Sequence, residues 1–131
     1  MTFTINTRSQ FEMVDITDGV RDALRKSDIR NGVCHVFVPH TTAAVTINEN
    51  ADPDVPRDMI TALDKLIPLS NNYRHSEGNT AAHVKASLIG ASETILVEEG
   101  ELVLGTWQSV FFCEFDGPRT RRVMVKVIPA G

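Results

Sequence analysis

An α+β fold, with mostly antiparallel, sandwich-like sheets and about three helices, is what this sequence predicts. Three observations lead there. Strand-like and helix-like runs are mixed along the chain without a regular strand–helix–strand repeat. After Gly90 the pattern is almost wholly that of strands. Two runs, Val33 to Val38 and Trp107 to Phe115, are apolar at both parities, so each is expected to be covered on both faces. In so short a chain, that excess of apolar strand surface implies a sheet sandwich, a subunit interface, or both.

The chain has 131 residues, 42% hydrophobic and 23% charged, which implies a single domain over residues 1–131 with a real core. A net charge of −4 without any run of Lys and Arg argues against wholesale nucleic-acid binding. No apolar run approaches membrane-spanning length, and Met1 to Asn6 lacks the basic and apolar regions of a signal peptide. Neither a membrane span nor a leader is expected. Cys34 and Cys113 lie inside apolar runs, where buried free thiols, and hence a reducing cytoplasm, fit better than a disulfide.

Taken in order, Phe3 and Ile5 alternate with polar residues and predict a first strand. Phe11 to Ile16 predicts a second. Thr17 is placed as the cap of a helix with Val20, Ala23 and Leu24 on one face, and Asn31-Gly32 ends it. Val33 to Val38 is a strand, closed by Pro39. Ala43 to Asn48 is a half-polar strand, with Val45 and Ile47 on one side and Ala44, Thr46 and Asn48 on the other. Asp52-Pro53 opens a helix that runs to about Ile67, with Val55, Met59, Ala62, Leu63 and Leu66 as its buried stripe. Asn79 or Thr80 caps a third helix, Ala81 to Ile89, ending near Gly90. Glu93 to Val97 and Glu101 to Leu104 are strands joined by a turn at Glu99-Gly100. Trp107, at the head of a long strand, is expected in the core. Asp116-Gly117 predicts a hairpin into Arg119 to Ile128. Arg119 and Arg121 share the parity of Val123, Val125 and Val127, so each needs a carboxylate, a phosphate or the sheet edge.

The densest polar stretch is His75-Ser-Glu77-Gly78-Asn79-Thr80-Ala81-Ala82-His83. It places His83 in the first turn of a helix, beside two alanines that leave room around it. A metal or anion site at a helix N-terminus is one reading, and a histidine serving as cap or core hydrogen-bonder is the other. A second polar segment runs from His40 to Asp58. His40, Asp52, His75 and His83 form a mixed nitrogen and oxygen ligand set, with Glu49, Glu77 and Asn48 nearby, that suits zinc, magnesium or manganese if the segments meet. Thr41, Thr42, Thr46 and the amides near Asn79 are one set of phosphate-binding candidates and Gly105-Thr106-Trp107-Gln108 another, with a turn or cap as the other reading of each. His35 is expected to be structural. No nucleophile elbow, Walker loop, dinucleotide fingerprint or Cys-x-x-Cys is present, so those chemistries have no support.

Three ordered motifs, Pro39-His-Thr-Thr-Ala-Ala-Val-Thr-Ile-Asn-Glu-Asn-Ala-Asp-Pro53, Arg74-His75 through Ala82-His83-Val-Lys-Ala-Ser87, and Leu104-Gly-Thr-Trp-Gln108, resemble the YjbQ family, also called secondary thiamine-phosphate synthases. The resemblance covers nearly the whole chain. It implies a compact α+β homotrimer with a weak transferase activity, in which hydroxymethylpyrimidine diphosphate couples to thiazole phosphate and pyrophosphate leaves. His40, Asn48, Glu49, Asp52, His75 and His83 fall on the family's polar positions. On this reading His75, His83 and Glu49 are catalytic, and Thr41, Asn48 and Arg119 hold the small phosphorylated metabolite. A metal-dependent hydrolase, or a binding module for another phosphorylated metabolite, is the alternative. Three sites at or near the trimer seams, each completed by the neighbour's Arg119 or Arg121, are the expected arrangement, and a pocket wholly within one subunit is the competing one.

Overall fold

The structure is a computed structural model and describes residues 1–75 and 77–131. In chain order the elements are β1 (Thr2–Asn6), β2 (Glu12–Asp15), α1 (Thr17–Ser27), β3 (Gly32–Phe37), β4 (Ala43–Glu49), α2 (Asp54–Leu66), α3 (Thr80–Ile89), β5 (Ser92–Glu98), β6 (Glu101–Leu102), β7 (Gln108–Glu114) and β8 (Thr120–Pro129). They form two antiparallel sheets. One has five strands in the order β1-β8-β3-β5-β6 and the other three, in the order β2-β7-β4. The α+β class and the antiparallel sandwich expected from the sequence are what the chain adopts.

Alternation explains how the layers meet. The inner face of the large sheet supplies Val36, Ile95, Val97, Val123 and Val125. The small sheet answers with Val45, Val110 and Phe112, and α1 adds Val20 and Leu24. The opposite face of the small sheet carries Ala44, Cys113 and Phe115 against Ala82 and Ala86 of α3 and Leu63 of α2. Strand β7 is therefore buried on both faces, as its composition requires. Alanine at each α3 contact lets that helix lie close to the strands.

Four local expectations fail. Strand β3 buries only the Cys34 and Val36 side, and Phe37 stands 45% exposed on the other. Helix α2 has no buried residue, and Leu66 of its predicted stripe is exposed. Trp107 is 62% exposed, because it lies just before β7 and outside the core. Asp116-Gly117 makes no hairpin, since β7 and β8 belong to different sheets and the segment carries the chain from one to the other. There a Cβ on Gly117 would sit 2.5 Å from the Ser9 carbonyl oxygen, so only glycine fits at the crossing. Thr17 also differs from expectation. It opens α1 as a helical residue, and its hydroxyl donates to Asp15 Oδ1 at 2.6 Å and accepts the Val110 amide at 2.9 Å.

Among the described residues no helix is long and apolar enough to cross a membrane. Both cysteines are free and buried.

Candidate functional site

The crossing from β7 to β8 sets up the site. Glu114 ends β7 inside an apolar run and is 0% exposed, so its charge must be matched. Arg121, 4% exposed, enters from β8 and matches it. Arg121 Nε donates to Glu114 Oε1 at 2.9 Å, and Nη2 donates to both Glu114 Oε2 and Thr42 Oγ1. Thr7 Oγ1 donates to Glu114 Oε1 at 2.7 Å and the Asp116 amide to Oε2 at 3.1 Å. Burial pushes the Glu114 carboxyl up, but these donors and the Arg121 charge outweigh it and hold the group below the usual carboxylate range.

Beside this pair lies an open cavity of about 360 Å³, lined by His40, Thr41, Asn79, His83, Arg119 and Arg121, with Asp116 and Glu77 at its acidic side. A neighbouring hollow continues past His83 to Ser87 and Gly90. Helix α3 meets the cavity with its N-terminus. Asn79 stands at the cap position but makes no cap bond. Instead its Nδ2 donates to Asp116 Oδ2 at 2.9 Å. Asn79 Oδ1 and Thr80 Oγ1 are buried without a partner among the described residues.

The histidines divide into two kinds. His40 Nε2 accepts the Arg122 amide at 2.9 Å, which requires that nitrogen to be unprotonated. Burial lowers the His40 pKa, and the Arg121 and Arg122 charges lower it further. The His83 ring makes no hydrogen bond among the described residues and packs edge-on against His75, with ring centroids 5.4 Å apart. His75 Nε2 lies 3.7 Å from Glu77 Oε2. Arg119 is tied to its own neighbour, with Nη2 donating to Asp116 Oδ2 at 3.0 Å and Nε to the Asp116 carbonyl at 2.8 Å.

Of the predicted site residues, His40, Thr41, His83 and Arg119 meet at this cavity, with His75 at its rim. Asn48, Glu49 and Asp52 do not. Asn48 and Glu49 lie at the far end of β4, about 20 Å along the strand from Ala43, and Asp52 follows in the loop before α2. There Asp52 Oδ1 accepts the Asp54 amide at the start of α2, at 2.9 Å. The metal set of His40, Asp52, His75 and His83 therefore does not converge within one chain. Among the described residues no three metal-ligating side chains come together, and His40 Nε2 is already engaged. Within one chain these residues do not gather around a divalent ion, and no step is drawn through one. Arg119 and Arg121 reach the cavity of their own chain. His35, expected to be structural, stands half-buried with Nδ1 3.0 Å from Thr94 Oγ1.

Sequence reasoning missed Glu114, Thr7 and Asp116. A single signal pointed at the first of them, a carboxylate inside a run apolar at both parities. A larger hollow of about 540 Å³ beside α1 holds Arg21, Arg25 and Arg30. Those arginines are engaged by Asp18, Asp22 and the Glu99 carbonyl at the surface.

Fold and cavity define a class, a two-sheet α+β domain with a histidine- and arginine-lined hollow at the crossing between its sheets. The chain belongs to the YjbQ-like UPF0047 family, whose model matches residues 1–130. It is 51% identical to the UPF0047 protein YugU of Bacillus subtilis over 97% of both chains. It is 50% identical to the UPF0047 protein MJ1081 of Methanocaldococcus jannaschii, over 96% of this chain and 91% of that one. The crystal structure of a YjbQ/UPF0047-family protein of Clostridium acetobutylicum superposes with a TM-score of 0.96 at 51% identity, covering 98% of this chain and 99% of that one.

Proposed function

We propose that the protein is a thiamine-phosphate-synthase-like transferase for small phosphorylated metabolites. The observation that supports this is the convergence of His83, Arg119 and Arg121 at the uncapped start of α3. Donors and a helix N-terminus gathered in one hollow suit the oxygens of a departing diphosphate. In the proposed reaction the bond between the pyrimidine methylene carbon and the diphosphate oxygen breaks, and its electron pair leaves on pyrophosphate. The thiazole ring nitrogen supplies the pair for the new carbon–nitrogen bond. His83, unconstrained by hydrogen bonds, is the group placed to give a proton to the leaving diphosphate, with His75 beside it. The proposed assembly is a cytoplasmic homotrimer.

The test is pyrophosphate release by the purified protein. The proposal expects release only when hydroxymethylpyrimidine diphosphate and thiazole phosphate are both present. Release from the diphosphate alone would point to a hydrolase instead. Changing His83 to Ala should abolish release and leave the melting temperature nearly unchanged. A fall of several degrees with activity retained would make His83 structural.

A further inference from the structure

We infer that Arg121 and the N-terminus of α3 form a subsite for a terminal phosphate, either a phosphate monoester or the outer phosphate of a diphosphate, with Glu114 as a positioning residue. The inference rests on reading the cavity as the site for a phosphorylated metabolite and adds where the phosphate sits.

Arg121 differs from an arginine that only closes a structural ion pair. Two of its nitrogens, Nε and Nη2, are committed to Glu114 and Thr42. The third, Nη1, has no hydrogen-bond partner among the described residues. Nor is it one of the buried atoms sealed without a partner. The side chain lines the cavity while being 4% exposed as a whole. Nη1 is thus the edge of an otherwise enclosed guanidinium that opens onto the hollow.

Glu114 fixes the plane of that guanidinium and cannot turn away, because Thr7 and the Asp116 amide hold both its oxygens. Such a fork needs no reordering when an anion arrives. The first amides of α3 add a second set of donors. No side chain caps the helix, and the Ala82 and His83 amides both turn to the Asn79 carbonyl. The amides of Thr80 and Ala81 have no acceptor among the described residues. A helix start in this state favours an anion.

A tetrahedral phosphate suits this geometry better than a planar carboxylate. Its three free oxygens can accept from Arg121, from the helix start and from Arg119 at once. Of the acids lining the hollow, Asp116 is engaged by Arg119 and Asn79, and Glu77 stands at the exposed rim near His75.

Isothermal titration of the full chain with inorganic pyrophosphate, orthophosphate and acetate tests the inference. Pyrophosphate should bind, and acetate should not compete. Arg121→Lys keeps the charge but loses the fork, and should weaken pyrophosphate about tenfold or more. Glu114→Gln and Thr42→Val should each weaken it several-fold, while Thr42→Ser, which keeps the hydroxyl that Arg121 Nη2 donates to, should bind as the wild type does, a rescue that lost stability alone would not give. Thr42→Val removes one hydroxyl without changing volume, so it carries the test if Arg121→Lys fails to fold. Wild-type binding with unchanged affinity in both Arg121→Lys and Thr42→Val would overturn the subsite and leave the cavity's function standing. No pyrophosphate binding by the wild type would overturn both.

Discussion

Lys85 of α3 and Asp64 of α2 are joined by an ion pair in which the lysine side chain is 2% exposed and the carboxylate 41%. The ammonium also lies 4.2 Å from the Phe11 ring centroid. Helix α2 buries no residue of its own, so this pair is a main tie between the two helices. Asp64→Ala would leave a cation enclosed with only aromatic rings for company. The expected loss is about 1–3 kcal/mol in urea unfolding, moderated by the exposure of Asp64. Lys85→Met, which removes the charge and keeps the bulk, should cost less. Equal losses in the two variants would refute this account.

Stability should fall on acidification in two stages. His40 has a folded pKa below its ordinary value of 6.5. The unfolded chain therefore takes up the proton first. The His40 contribution is complete above that value and is lost as pH falls through the lower folded pKa. Glu114, held below the usual carboxylate range, contributes in the same sense in a more acid window. Urea midpoints measured from about pH 7.5 down to about pH 5 should decline, and His40→Gln should flatten that part of the curve. An unchanged slope in His40→Gln would exclude His40 as its source.

Burial pushes the thiol of Cys34 up to about 11 and that of Cys113 to about 12. Thiolate is the reactive form, so both should resist an aromatic disulfide reagent in the native protein near neutral pH. Both should react promptly in denaturant. Rapid modification of the native chain would contradict their burial.

The outer face of the large sheet carries Phe37, Leu96, Met124 and Ile128, all exposed. Register makes them neighbours, since Phe37 faces Met124 and Val33 lies between Leu96 and Ile128. An apolar sheet face of this kind matches the proposed trimer. Sedimentation at low micromolar concentration should give a species three times the 14.5 kDa chain mass. Phe37→Glu should shift it toward the monomer. A 14.5 kDa wild-type species would refute the trimer.

Where periodicity acts within one element, the sequence was informative. The strands, the three helices and the helix-start position of the His75–His83 stretch were legible because each depends on neighbours a few residues away. That Arg121 needs a carboxylate, a phosphate or the sheet edge was also legible, from its parity with buried valines. Its partner was not. Glu114 is close in sequence, and the hairpin signal at Asp116-Gly117 would have aligned the two strands in one sheet. Only the passage between sheets, with Ser9 and Thr7 crowding Gly117, puts the carboxylate against that guanidinium. Asn48, Glu49 and Asp52 were grouped with His40 because they follow it closely. An extended strand separates what a short sequence interval joins.

Glu114 and Arg121 are seven residues apart in the chain, yet each belongs to a different sheet. The clasp they form therefore exists only when both sheets are docked, and so does the hollow beside it. Many binding sites sit on loops that open while the rest of a protein stays folded. Here local fraying cannot open the Arg121 edge without undoing the sandwich. A ligand held there would act on the cooperative unfolding of the whole domain. Amides at the centre of β7 and β8 should slow their hydrogen exchange together with those of α3 when such a ligand is added, because occupancy and complete folding are one event.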